Sequence, residues 1–295
     1  MTNKYINFKR ERDFGDIFNA TFNFIGQEFK RLGSALLYYV VPFLILSAIA
    51  STIYSVKAQE MMQSMMSTSS TTDPFAAFKV MGSLSGFASL MFIFSLISSN
   101  MMLCTVYSYI KVYVSNGGNE FTINDVWREV MKNFWRVLGA AIVVGLLVTV
   151  GLVFCFIPGI YLGVVLSILI PILVFEEISF SDAFSRSFKL IKKNWWFTFG
   201  IFIVALIIFY ILSILVSVPS LLLGFKSFFS NMKHIEKTGM MFSTDFYIVN
   251  SLTSLLTQFF TVIPVVVTAF LYYSFVEKRE KPSLMNKIDQ ISEHE

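Results

Sequence analysis

Residues 137–175 read VLGAAIVVGLLVTVGLVFCFIPGIYLGVVLSILIPILVF, without one Asp, Glu, Lys, Arg or His. A helix needs about 20 apolar residues to cross a hydrocarbon core of about 30 Å, so the run is long enough for two crossings. Pro158-Gly159 punctuates it, because proline loses a helix bond and glycine permits a turn. The stretch predicts a hairpin, with arms 138–157 and 160–175. The second arm is short, so a re-entrant hairpin is the alternative; either form returns the chain to the side it left.

Four further uncharged runs occur, Leu32–Val56, Val80–Ile110, Trp195–Phe225 and Phe246–Val276. The prediction is an all-α, polytopic transmembrane bundle of about six spans: 34–56, 80–110, 138–157, 160–175, 195–218 and 246–276. These form one integral membrane domain, 1–281, followed by a cytoplasmic tail, 282–295. Composition agrees. The chain is 55% hydrophobic and 14% charged, against about 25% charged in soluble domains. That balance excludes disorder and a soluble single domain. Two cysteines in 295 residues exclude a disulfide-built fold, and a net charge of +4 gives no reason to expect nucleic acid.

Lys and Arg set the orientation. With the N-terminus inside, 18 of the 23 basic residues fall in inner segments. The outer loops 57–79 and 219–245 hold only Lys57, Lys79, Lys226, Lys233 and Lys237. Both termini are therefore expected in the cytoplasm, with the protein in a bacterial inner membrane. About 30 mostly polar residues precede the first span, so that span is expected to act as an uncleaved anchor. Cys104 and Cys155 are expected at opposite depths, as small buried apolar residues rather than a disulfide.

Three inner segments share one pattern. Asp13, Thr122 and Ser179 occupy helix-capping positions, and each has an Asp three residues on: Asp16, Asp125 and Asp182. This is the layout of a capping box with Asp in place of Glu, so the three aspartates are read as helix starts rather than catalytic groups. Apolar positions then repeat without a gap: Phe14, Phe18, Phe22, Ile25, Phe29; Ile123, Trp127, Met131, Phe134, Leu138; Phe180, Phe184, Phe188, Ile191, Trp195. Steps of 4, 4, 3 and 4 describe one helix face. Basic residues such as Arg128, Lys132, Arg186 and Lys189 lie opposite. The expectation is three repeats of an interfacial amphipathic helix followed by a transmembrane hairpin.

The third repeat carries a resemblance. Ile157-Pro158-Gly159-Ile160-Tyr161, Pro171, Glu176-Glu177, Asp182-Ala183-Phe184, Arg186-Ser187 and Lys192-Lys193-Asn194-Trp195 resemble the membrane domain of bacterial glycerophosphodiester phosphodiesterases and related stand-alone six-span proteins. The likeness is best over 150–205. It implies a six-span membrane module, while the hydrolytic chemistry of the fused proteins resides in a separate soluble barrel with metal ligands and histidines. Here the only histidines are His234 and His294, both outside the spans. Some proteins of this appearance carry a carotene-oxygenase label, whose iron chemistry needs several histidines.

No phosphate-binding glycine loop, Ser-His-Asp set or metal-ligand spacing is found, and no ionisable group lies within a span. No cofactor is expected. The polar span residues are neutral: Ser95, Ser98, Ser99, Asn100, Asn250 and Gln258. Interhelical hydrogen bonds account for them. Gly82/Gly86 and Gly159/Gly163 allow close helix approach, and Pro42, Pro171 and Pro264 are read as fixed kinks. Glu176, Glu177 and Arg186 form an inner-face interaction cluster. Seven of fourteen methionines fall in the outer loops, and Met61, Met62, Met65 and Met66 form i,i+4 pairs, so outer-face Cu(I) handling is a minor alternative.

The expected role is a non-enzymatic scaffold or partner subunit contacting the bilayer and other membrane proteins. The alternative is a transporter or exporter of a lipidic or apolar solute, which requires a cavity accessible to water or lipid.

Overall fold

A computed structural model describes residues 5–67, 76–232 and 242–280. The described residues are helical: α1 (Phe14–Tyr39), α2 (Val41–Ser67), α3 (Ala76–Ser115), α4 (Ile123–Phe154), α5 (Phe156–Leu166), α6 (Leu169–Glu176), α7 (Phe180–Ile191), α8 (Trp195–Met232), α9 (Thr244–Phe259) and α10 (Val262–Glu280). Six segments are long and apolar enough to cross a membrane: Val41–Met61, Leu84–Ser115, Ile123–Phe154, Phe156–Glu176, Trp195–Ser230 and Asp245–Glu280. This is a multi-pass membrane protein.

The residues fall in two compact units. The first contains the chain up to Tyr39, Asn100–Phe209 and the chain from Val262; the second contains Val40–Ser99 and Tyr210–Thr261.

The first unit is built around α10. From Val262 to Phe275 every residue except Pro264 is buried. The N-terminal arm lies against this helix. Phe8 is fully buried, stacks on Phe270 at 4.1 Å and meets Phe24 edge-on at 5.1 Å. The Arg12 amide donates to Ser274 Oγ at 3.0 Å. In the second unit α2 and α9 are tied by Thr52 and Ser251, whose hydroxyls lie 2.6 Å apart.

The helices α1, α4 and α7 begin at Phe14, Ile123 and Phe180, which are matching positions of the sequence pattern, and α4 and α7 carry side-chain N-caps. Their protein-facing residues are also equivalent: Ile17, Thr21 and Phe24; Val126, Val130 and Asn133; Ala183, Ser187 and Leu190. This is not the aromatic stripe of the sequence. Phe14, Phe22, Phe29 and Met131 are exposed, Phe29 to 70%. In water that arrangement is costly, whereas for a membrane protein the exposed apolar stripe has lipid to meet.

Prolines mark helix starts. Pro42, Pro158, Pro171 and Pro264 each lie in the first turn of a helix, after breaks at Val40, Cys155, Ser167–Ile168 and Phe260–Thr261. A proline ring clashes with the carbonyl four residues back, and in a first turn its missing N–H costs nothing. The hairpin turn is accordingly at Cys155, which is extended (φ −162°, ψ 121°), and not at Pro158-Gly159. Among the described residues Pro219 is the exception, inside α8.

Gly159 serves close packing instead of the turn. A Cβ there would lie 2.5 Å from Leu152 N, and one on Gly151 would lie 2.9 Å from Gly159 Cα. Backbone lies against backbone, so the arms must part to admit a side chain. Gly159→Ala is expected to destabilise the protein by about 1–3 kcal/mol, while Gly145→Ala, inside α4 with open space at its Cβ, is expected to stabilise it by up to about 1 kcal/mol. Melting temperatures of the purified variants in one detergent check this.

Candidate functional site

Two polar groupings compete for a functional role. The first is ionic and lies in the first unit. Glu176 ends α6, and Glu177 caps it in the left-handed region (φ 56°, ψ 22°), the only non-glycine residue there among those described. Such a conformation costs a side-chain-bearing residue about 1–3 kcal/mol. The neighbouring carboxylates have different partners. Glu176 accepts from Arg186 Nε at 2.6 Å and from the Tyr272 hydroxyl at 2.7 Å. Arg186 in turn pairs with Glu280 at 2.9 Å. Glu177 accepts from Lys132 Nζ at 2.7 Å and from Lys111. Lys111 also donates to Glu129 at 2.6 Å.

Of the three cluster residues, Glu176 and Arg186 therefore meet, and Glu177 belongs to a second set with Lys111, Lys132 and Glu129. Hydropathy reading misses Lys111, Glu129, Tyr272 and Glu280 because their partners lie far off in sequence. Glu28 is missed likewise; it is buried on α1 and accepts from the Tyr109 hydroxyl at 2.7 Å.

Asp125 and Asp182 sit at helix starts. Thr122 and Asp125 make the reciprocal pair, with Thr122 N donating to Asp125 Oδ2 at 3.0 Å and Asp125 N to Thr122 Oγ1 at 3.4 Å. Asp182 N donates to Ser179 Oγ at 3.2 Å. Asp16 is in the first turn of α1. Both cysteines are free, Cys104 buried and Cys155 exposed. The side chains of Met62, Met65, Met66 and Met232, together with Met240, Met241, His234, His294 and the tail 282–295, lie outside the described residues.

The second grouping is neutral and lies within the second unit. A partly open cavity of about 210 Å³ is lined by Ser47 and Ser51 of α2, Ser95, Ser98 and Ser99 of α3, and Ser251, Ser254 and Gln258 of α9. Spacings of three and four residues put each set on one helix face. Leu44, Ala48, Met91 and Leu255 complete the wall. Ser98 and Ser254 bond to carbonyls of their own helices, as hydroxyls commonly do in helices. Among the described residues, the side chains of Ser47, Ser51, Ser99 and Gln258 have no protein partner. They leave hydrogen-bonding capacity facing the cavity. The serines of α3 and Gln258 were visible in sequence as polar span residues, but the serines of α2 and α9 join them only through packing.

Compared with known families, residues 144–294 match the sequence model of the membrane domain of glycerophosphoryl diester phosphodiesterase. The chain belongs to that family. The matched region of this membrane domain starts within α4 and takes in α5 to α10, well beyond the 150–205 stretch whose motifs resemble it. It thus includes Glu176, Glu177 and Arg186 and the α9 wall of the cavity. No curated protein and no solved structure matches the chain significantly.

The lysine pair gives Glu177 a defined acid response. Hydrogen bonds from Lys111 and Lys132 lower its pKa from the ordinary 4.5 to about 2. A depressed carboxylate stabilises the fold fully above its unfolded value, and the contribution disappears as pH falls through the folded value. The wild-type melting temperature is expected to fall between pH 4.5 and 2 more steeply than that of Glu177→Gln. Parallel curves would remove Glu177 from the acid response.

Proposed function

We propose that this protein is a non-enzymatic membrane carrier that admits the neutral or zwitterionic headgroup of a lipid-like solute into the serine-lined cavity of its second unit. The single observation behind this reading is the unmet hydrogen-bonding capacity of Ser47, Ser51, Ser99 and Gln258 at a cavity whose wall is completed by further serines and by Leu44, Ala48, Met91 and Leu255. Hydroxyls and an amide can replace water around a polar headgroup without the cost of holding a charge in the membrane. The part-open form of the cavity lets acyl chains remain in lipid while the headgroup enters.

The scaffold reading has less support. Its charges would have to be free for a partner, yet Arg186 is held by Glu176 and Glu280, and Glu177 by two lysines.

The protein is placed in a bacterial cytoplasmic membrane with both termini inside, on the strength of the 18-to-5 division of basic residues. The helices α1, α4 and α7 are taken as descendants of one duplicated unit. Their ungapped patterns, matching starts and equivalent protein-facing positions support this.

The test is transbilayer exchange of fluorescent phosphatidylcholine in liposomes containing the full-length protein. The wild type is expected to accelerate exchange over protein-free liposomes. Ser51→Leu with Ser99→Leu fills the cavity and is expected to slow the protein-dependent rate at least about tenfold, about 1.4 kcal/mol in barrier, without a change in melting temperature. No acceleration by the wild type, or an unaffected double variant, rejects the reading.

A further inference from the structure

A second pocket, in the first unit, lies where the α4–α5 hairpin tip meets the joint between α7 and α8. Its volume is about 660 Å³, and Tyr161, Lys192, Lys193, Asn194, Trp195 and Trp196 line it. Tyr161 stacks on Trp195 at 5.9 Å. This closeness bears on how the hairpin meets the membrane.

Helix α7 is pinned along its length by charged residues near the ends of α3 and α10 and in the body of α4. Just before it, Glu177 binds Lys111 near the end of α3, and Ile178 O accepts from Arg136. Near its middle, Arg186 binds Glu280 at the end of α10. One turn further, Lys189 O accepts from Arg279. A helix tied at one end to the terminus of α3 and at the other to the terminus of α10 lies across those termini. Its 12 residues span only about 18 Å, too short to cross the hydrocarbon. Lys192 and Lys193 therefore stay on the face that bears Lys111 and Glu280.

The hairpin tip is at that same place. A full crossing by α4 would carry Cys155 about 30 Å to the opposite face, away from Lys192 and Lys193. Instead Ile157, at the start of α5, and Tyr161, about one turn on, share a pocket with those lysines. The tip is also strongly apolar on its outside, with Val153, Phe154, Phe156 and Ile157 at 69–86% exposure.

We propose that the α4–α5 hairpin lies along the membrane face bearing Lys192 and Lys193, and that the pocket at its tip holds the headgroup of an anionic phospholipid. The chemistry of the pocket is that of a headgroup site. Two exposed lysines offer positive charge to a phosphate, and Trp195, Trp196 and Tyr161 are the residue types that favour the headgroup level. The Trp195 indole N–H has no protein acceptor among the described residues. Apolar tip residues beside the pocket give the acyl chains a surface to lie on. The hairpin would then be an in-plane element, with the remaining four candidate spans crossing.

Two measurements on the full-length protein decide this. Cys104→Ala leaves exposed Cys155 as the sole thiol, and a membrane-impermeant maleimide is applied to sealed vesicles of each orientation. Cys155 is expected to react from the same side as a cysteine placed at Asn119, in the exposed α3–α4 loop. Reaction from the opposite side, or from neither, overturns the placement. In nanodiscs of mixed phosphatidylglycerol and phosphatidylcholine, native mass spectrometry reads the lipid retained on extraction. Lys192→Gln with Lys193→Gln is expected to lower retained phosphatidylglycerol at least fivefold, with Arg128→Gln as an unaffected control. Undiminished retention in the double variant, or an equal loss in the control, overturns the headgroup site.

Discussion

The burial of α10 on all sides is the constraint on which the first unit depends. A helix apolar all round is covered by lipid or by protein, and α10 is covered by protein, namely α1, α6, α7 and the N-terminal arm. Phe8 stacked on Phe270 and the Arg12 amide on Ser274 bring the start of the chain to its last described helix. Tyr107 and Thr268, with hydroxyl oxygens 2.7 Å apart, satisfy polar groups inside the same contact. Removing the enclosure would leave α10 against lipid without damage to its hydropathy, but would strip the Tyr107 hydroxyl and the Arg12 amide of their partners.

Charge then decides where that core ends. The ion pairs are individually modest, since Glu177, Lys132 and Glu280 are more than one-third exposed. Their value is in placement. Glu176, Glu177 and Arg186 couple the end of α6 and the body of α7 to the ends of α3 and α10, so one short amphipathic helix acts as a crossbar. The left-handed backbone at Glu177 ends α6 between the two carboxylates, with Glu176 held by Arg186 and Tyr272 and Glu177 by the two lysines.

Much of this was legible in the sequence, and the misses have physical causes. Helix starts at Phe14, Ile123 and Phe180 follow from capping residues and a local period. The aromatic stripe was equally legible, but periodicity identifies an apolar face without saying whether protein or lipid covers it; here Ile17, Thr21 and Phe24 turn inward and Phe22 and Phe29 outward. The hairpin turn was misplaced by three residues because proline disrupts the helix behind it, not at its own position. Glu176, Glu177 and Arg186 were grouped by proximity in sequence, whereas the fold joins Glu176 to Arg186 and Glu280 and sends Glu177 to Lys111 and Lys132. The serine cavity is the extreme case, since each hydroxyl alone looks like an ordinary polar residue of a helix packed in a membrane.

The four helix-starting prolines have a consequence for hydrophobic mismatch. As one rod, the 39 residues from Val137 to Phe175 would reach about 58 Å, nearly twice the hydrocarbon thickness. Breaks at Cys155 and Ser167–Ile168 divide them into pieces that need not fit the bilayer as a unit. The run beginning at Leu32 is divided at Val40 in the same way. By contrast, α3 and α8 remain unbroken at 40 and 38 residues, about 60 Å each. Segmentation relieves the other runs of matching the membrane's thickness, so a thinner or thicker bilayer is felt first through the tilt and local curvature of these two long helices.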